Sequence, residues 1–310
     1  YEGLSTSTER TIPTPAFALP TPEPPPAPPH PGLHRLLDTI HSAVVQVGTV
    51  NQISLSAARK AVSAALGSHV EGSLPFVAPH APTNAPAQQA RGFATLSVPL
   101  AEMHRIARQH HATLNDVAAA IIDHGLHAYL RQAGQAYAHE LVAMCPVSLR
   151  DDSDSAVGTR VSALFVRLGR PEATMTDRLR EVVHSVASAK DELGAMSTNA
   201  AMTFAVALVA LAGAGASTHL DRVGHPACNL VISNIPGNTE PHYLNGAPLI
   251  GIFPVSALAA SIGLNVTLSS YCDTMNFGFV TNTAAISDVQ ALAEFTGKAY
   301  AELTAESARA

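Results

Sequence analysis

The chain is poor in charge: only 14% of its residues are Asp, Glu, Lys or Arg, and its formal net charge is -6. No long run of Lys or Arg offers a footing for a phosphate backbone, so nucleic acid is excluded as an expected partner. Cysteine is scarce too. Cys145, Cys228 and Cys272 lie far apart and form no C-x-x-C pair, which excludes a zinc knuckle and a disulfide framework and fits a reducing, cytosolic setting. No basic segment followed by an apolar stretch and a small-residue cleavage site opens the chain, so no secretory signal is read. The first residue is Tyr1 rather than Met, and the chain reads as the interior of a longer polypeptide. Long apolar runs are limited to one uncharged span, Ser197 to Thr218. That span has the length of a membrane-crossing helix but is built largely from Ala, Gly, Thr and Ser, and is expected to form a buried, closely packed helical hairpin.

What is present is enough for a sizeable core: 310 residues, 47% of them hydrophobic, in one large domain or two smaller ones. Pro13 to Pro31 holds ten of the 22 prolines, which cannot donate backbone hydrogen bonds, so residues 1–31 form an extended linker. Beyond Gly32 the spacing becomes helical. Leu33, Leu36, Leu37, Ile40, Val44 and Val47 share a face, as do Leu55, Ala58, Val62 and Leu66, so residues 32–90 read as two amphipathic helices and a proline-interrupted crossover segment.

Residues 91–310 form the main unit. Gly92 to Val98 alternates as a strand, and Pro99 opens a helix that buries Leu100, Met103, Ile106 and Ala107. Thr113-Leu114-Asn115-Asp116 is a capping box heading a helix to about Gln132, stopped by Gly134. Leu141–Leu149 and Arg160–Leu168 are strands joined by the polar turn Asp151 to Gly158. Thr174 with Asp177 caps the next helix. Asn229–Ile235, Leu249–Phe253, Ile262–Tyr271 and Asn276–Thr281 read as strands, the last two as a hairpin across Cys272 to Met275. Ser287 with Gln290 is expected to cap a final helix through Val289, Leu292, Thr296 and Leu303. This order gives an α/β fold: a two-layer α/β sandwich with a mixed sheet.

Fifteen histidines invite a catalytic reading, above all His110-His111. An acyltransferase base of the H-H-x-x-x-D-G kind needs its second histidine on a short turn, in one tautomer, to take a proton from a hydroxyl. Here Asn115 stands where Asp is needed, Asp116 comes one place late, and Val117 replaces the Gly. The pair reads as polar residues at a helix end, where the dipole favours them. His124 and His127, with Asp123, could reach a metal but have no third ligand in sequence. Ser233 lies in no G-x-S-x-G elbow, and neither a G-x-x-x-x-G-K-[ST] loop nor a G-x-G-x-x-G fingerprint occurs. No self-contained active site is visible.

Four segments occur in an order and spacing that resembles the bacterial wax ester synthase/diacylglycerol acyltransferase family. They are Arg91-Gly92-Phe93-Ala94-Thr95 leading to Ala112-Thr113-Leu114-Asn115-Asp116-Val117; Pro146-Val147-Ser148-Leu149-Arg150; Asn229 to Gly237, containing Ser233-Asn234-Ile235-Pro236-Gly237; and Gly263-Leu264-Asn265-Val266-Thr267 with Ser270-Tyr271. Tyr1 to Ser7 with the proline-rich linker resembles the stretch that follows the catalytic motif there. The resemblance implies one lobe of a CoA-dependent acyltransferase fold like that of chloramphenicol and carnitine acyltransferases, with a substrate tunnel between two lobes. It implies a catalytic histidine on a first lobe that precedes Tyr1. Asn115 and Asp116 match the family's N-D pair, and Ser233, Asn234, Pro236 and Gly237 its S-N-x-P-G turn.

On that footing Asn115, Asp116, Arg150, Ser233 and Asn234 are the candidates for lining the substrate and CoA channel, and no residue of the chain is assigned as catalytic. Asn115 and the backbone N–H groups beside it could face an oxyanion or a CoA phosphate, or Asn115 and Asp116 could do no more than cap the helix. Arg150 is a structural ion-pair partner or a phosphate contact. No cofactor or metal is expected; acyl-CoA is a co-substrate. The expected partners are acyl-CoA, a diacylglycerol or long-chain alcohol, the N-terminal lobe, and a membrane or lipid-droplet surface reached from the cytosol. The competing reading is a non-catalytic module that binds acyl lipid or acts as a scaffold.

Overall fold

The computed structural model of the protein describes residues 78–148 apart from 87, 161–194, 225–258 and 261–309, together with 4, 6 and 8. The helices expected between Leu33 and Leu66, the turn from Asp151 to Gly158, the Ala-rich span and Arg150 all lie outside the described residues.

The elements in chain order are β1 (Arg91–Pro99), α1 (Leu100–Gln109), α2 (Leu114–Gln132), β2 (Val142–Ser148), β3 (Val161–Arg167), α3 (Met175–Gly194), β4 (Leu230–Ile235), β5 (Tyr243–Leu244), β6 (Ala247–Pro248), β7 (Leu264–Tyr271), β8 (Thr274–Asn282) and α4 (Val289–Ser307). Pro99 ends β1 and serves as the N-cap of α1, where its missing N–H costs nothing. The capping box of α2 is complete: the Thr113 hydroxyl accepts from the Asp116 N–H and the Asp116 carboxylate accepts from the Thr113 N–H. Past the helix end Gly134 takes a φ of +70°, which a side chain would resist.

Six strands form one mixed sheet in the order β1-β8-β7-β4-β2-β3. Its centre, β7-β4-β2, is parallel, and its outer pairs are antiparallel. The period of two sorts β7 cleanly. Leu264, Val266 and Leu268 enter the main core with Phe277, Phe279 and the inner faces of the helices. The intervening Asn265, Thr267 and Ser269 face the other way, yet they are buried too. The cover is the segment approaching β7 from Pro254 to Ala257: Asn265 Nδ2 donates to the Ala257 carbonyl at 3.1 Å, and the hydroxyls of Ser256 and Thr267 lie 2.7 Å apart. At Gly278 of β8 a Cβ would sit 2.0 Å from the Pro254 carbonyl oxygen, so only glycine lets this segment lie down.

Helix α2 runs through the core with every residue from Asp116 to Asp123 buried. It crosses α4 closely because Gly125 has no side chain: a Cβ there would meet the Thr296 backbone at 2.7 Å.

Three details depart from expectation. Leu249–Phe253 joins no ladder; prolines at 248 and 254 bracket it, neither able to donate to a sheet, and a short β5-β6 pairing precedes it instead. The β7–β8 hairpin is tighter than a four-residue loop, because Tyr271 pairs with Thr274. Cys272 supplies the positive φ, 49°, that a two-residue turn demands. The cap of α4 is Asp288, which accepts from the Ala291 N–H at 3.0 Å; the Ser287 hydroxyl lies near the Tyr129 hydroxyl, 3.4 Å away.

Candidate functional site

In an open α/β sheet, ligands settle outside the carboxyl ends of parallel strands, where helices begin. The parallel strands β2 and β4 end beside the first turn of α2, and a cavity of about 70 Å³ lies there. Asn115 and Asp116 line it from α2 and Thr113 from the cap of that helix, Cys145 and Pro146 from β2, Ser233 and Asn234 from β4. Its remaining wall is mostly apolar, with Val186 and Lys190 contributed by α3. Four of the five candidates read from sequence, Asn115, Asp116, Ser233 and Asn234, therefore meet in one pocket; the fifth, Arg150, lies outside the described residues.

The meeting is direct. Asn234 Nδ2 donates to Asn115 Oδ1 at 2.8 Å, joining positions 119 residues apart. Asp116 is buried, and its Oδ2 accepts the Thr113 N–H at 2.7 Å. Two acceptors remain over: Asp116 Oδ1 and Asn234 Oδ1 are buried without a hydrogen-bond partner. Buried polar atoms are usually paired, and two of the eleven unpartnered ones among the described residues belong to this one pocket's lining. Because the Asp116 N–H is spent on the Thr113 hydroxyl, that donor is not free to meet an anion. Burial, helped by the nearby Asp116, pushes the Cys145 thiol up to about 12 and disfavours its thiolate.

Behind the pocket, α2 is fixed to α3 by a buried ion pair that the sequence reading missed. Asp123 and Arg178 are both 0% exposed and bonded to each other. Asp123 Oδ2 also accepts the Gly169 N–H at 3.1 Å, and Arg178 donates to the carbonyls of Gly169, Arg170 and Pro171. Burial pushes the Asp123 carboxyl up to about 7 against the pull of Arg178. No short-range pattern could reveal a pair 55 residues apart.

The histidines are dispersed. His110 Nε2 lies 2.8 Å from the Ser307 hydroxyl, and burial lowers its pKa. His111 is exposed in a left-handed turn, φ 52°. His124 turns to Glu302 at 3.5 Å, whereas His127 faces Asp123 at 3.5 Å. Burial, then the Arg178 charge, drives His127 down to about 4, so it is neutral at pH 7. A wider polar groove of about 380 Å³ runs past His139, Glu140, Arg167 and Arg170. It contains none of the sequence-predicted residues, and its arginines already face Glu140 and Glu181.

An α/β lobe with a pocket built where parallel strands meet a helix N-terminus is thus the class of protein that fold and site define. The solved wax ester synthase/diacylglycerol acyltransferase from Marinobacter aquaeolei VT8 shares this fold: it superposes with a TM-score of 0.70 over 99% of the chain and 63% of its own, at 24% identity. The profile of the WS/DGAT C-terminal domain matches residues 157–304, and that of the wax ester synthase/diacylglycerol acyltransferase catalytic domain matches residues 4–118. A Mycobacterium tuberculosis protein carrying a diacyglycerol O-acyltransferase name is 37% identical over 231 residues, 74% of this chain and 46% of its own length. The O-acyltransferase WSD of Acinetobacter baylyi is 31% identical over 217 residues, 70% of this chain and 47% of its own. The chain belongs to the wax ester synthase/diacylglycerol acyltransferase family, and spans about half the length of these curated relatives.

Proposed function

We propose that the chain is the C-terminal part of an acyl-CoA-dependent O-acyltransferase of the diacylglycerol acyltransferase or wax ester synthase type, and that Asn115, Asp116, Ser233 and Asn234 form a wall of its substrate channel. The observation that carries this is the Asn115–Asn234 hydrogen bond, which draws two distant family segments into one pocket. The names of the relatives, diacylglycerol O-acyltransferase and wax ester synthase among them, support the reaction class.

In the reaction the acceptor hydroxyl loses its proton to a base as its oxygen attacks the thioester carbonyl. The carbon–sulfur bond then breaks, and CoA leaves as the thiol. Three of the histidines are engaged elsewhere: His110 with Ser307, His124 with Glu302, and neutral His127 beside Asp123. The imidazole is assigned to an N-terminal lobe carrying H-H-x-x-x-D-G. The role left to this chain is to hold and orient substrates. No helix among the described residues is long and apolar enough to cross a membrane; contact with the lipid that carries the acceptor is assigned to peripheral attachment.

The test is turnover of labelled acyl-CoA with diacylglycerol and with a long-chain alcohol, measured for the chain alone and with a family N-terminal lobe added. Activity that depends on the lobe and falls with Asn115→Ala is the expected result. No turnover with any lobe, or undiminished turnover in the variant, overturns the assignment. Flotation with liposomes checks the peripheral attachment; a chain that stays at the bottom of the gradient speaks against it.

A further inference from the structure

The pocket at the α2 N-terminus carries more information than its location. Its two unpartnered buried atoms are both oxygens, Asp116 Oδ1 and Asn234 Oδ1. Asp116 as a whole is 3% exposed, so its free oxygen has little recourse to bulk water. Leaving such acceptors unpaired carries a desolvation penalty, larger for a charged group. A ligand that brings a donor recovers that cost, and one that brings only acceptors deepens it.

The surroundings narrow the ligand further. Ala119, Val147, Leu164, Val166 and Ile232 make the wall apolar, which suits a hydrocarbon-borne group. Of the charged groups lining the pocket, the buried Asp116 carboxylate repels a phosphate while the exposed Lys190 attracts one, and the Asp116 N–H is already bonded to Thr113. The cavity of about 70 Å³ is small, suited to the end of a chain rather than to a large polar headgroup.

We propose that this pocket is a donor-reading subsite: it takes a neutral O–H or N–H group on an apolar chain, held between Asp116 Oδ1 and Asn234 Oδ1, and rejects the same chain without the donor. The assignment deepens the acyltransferase reading and rests on it for the two sources of that chemistry, the hydroxyl of the acceptor alcohol and an amide of the pantetheine arm of acyl-CoA. The Asn115–Asn234 bond is then a positioning device. By committing Asn234 Nδ2 to Asn115 Oδ1, it leaves Asn234 Oδ1 for the ligand.

Binding alone tests this, with no turnover required, so an inactive chain and a misassigned subsite give different results. The full chain, labelled with 15N, is titrated with octan-1-ol and with its isomer 1-methoxyheptane, which lacks the O–H. It is then titrated with N-pentylacetamide, a probe for the pantetheine amide, and with its N-methyl derivative, which lacks the N–H. The side-chain amide resonances of Asn115 and Asn234 are followed. At least one donor-bearing probe is expected to move both resonances and to bind about tenfold or more tighter than its donor-free counterpart; which probe does so identifies the source. Asp116→Asn keeps an oxygen for the Thr113 N–H and turns an NH2 into the pocket, so the tenfold preference is expected to vanish or reverse. Asn234→Leu is expected to abolish it as well. Equal binding of the donor-bearing and donor-free members of both pairs, resonances unmoved by all four probes, or a preference retained in both variants would each overturn the proposal.

Discussion

Replacing Arg178 with Met removes a charge from the centre of the molecule without emptying the space it fills. Arg178 and Asp123 are each 0% exposed, so the substitution leaves a buried carboxyl whose remaining hydrogen bond is from the Gly169 N–H at 3.1 Å. The carbonyls of Arg170 and Pro171 lose their guanidinium donor as well. Removing one partner of a buried ion pair costs about 3–5 kcal/mol. The cost depends on pH, with a definite sign. Asp123 already has a folded pKa of about 7, above its ordinary 3.8, and losing the cation raises it further. Between the unfolded and folded values the native state binds the extra proton, so the stability of the variant falls as pH rises through that window. Urea unfolding followed by far-UV circular dichroism should give a loss of about 3–5 kcal/mol at pH 8. At pH 5, with Asp123 protonated in both proteins, the loss should be smaller by up to about 1.4 kcal/mol, the most that one proton contributes between a folded pKa of about 7 and pH 8. Adding Asp123→Leu should restore most of the stability at pH 8, since hydrophobic replacement of both partners is often neutral or better. A loss equal at the two pH values, or no recovery in the double variant, would refute the reasoning.

Thr113→Ala removes the hydroxyl that accepts the Asp116 N–H and should cost about 1 kcal/mol of stability in the same urea assay; a loss below a few tenths would mean the cap is redundant. Gly125→Ala puts a methyl 2.7 Å from the Thr296 backbone, so α2 and α4 must separate and the unfolding free energy should fall by about 1–3 kcal/mol, or more if the helices cannot move. The thiol of Cys228 is 0% exposed and pushed up to about 12 by burial. It should resist Ellman's reagent at pH 8 in the native chain while the half-buried Cys272 reacts, and react only after unfolding in urea. His127, held down to about 4 by burial, binds its proton more readily unfolded than folded, so it withdraws stability as pH falls from 6.5 towards 4. His127→Gln should flatten that loss by at most about 1.4 kcal/mol per pH unit.

Local order in the chain was written locally. Thr113 and Asp116, three residues apart, dictate where α2 begins, and the structure has both reciprocal hydrogen bonds because each partner lies within one turn. Alternation placed β1 and β3, since successive side chains of a strand point to opposite faces. The strand expected at Leu249–Phe253 did not form: these residues are bracketed by prolines and join no ladder. The sequence put the α4 cap at Ser287, one residue before the true cap Asp288, since both side chains suit that position.

For the site, sequence alone named Asn115, Asp116, Ser233 and Asn234 through two family segments, but carried nothing to say that they touch. Only the parallel pairing of β2, β4 and β7, with the first turn of α2 beside residues of β2 and β4, brings Asn234 to Asn115 and leaves two oxygens unpaired. The Asp123–Arg178 pair was equally illegible, since a polar residue in a helical stretch looks solvated until the neighbouring helix and loop close over it. Hydrogen bonds within a turn follow from the order of residues along the chain, whereas desolvation and long-range contact exist only once the layers have packed.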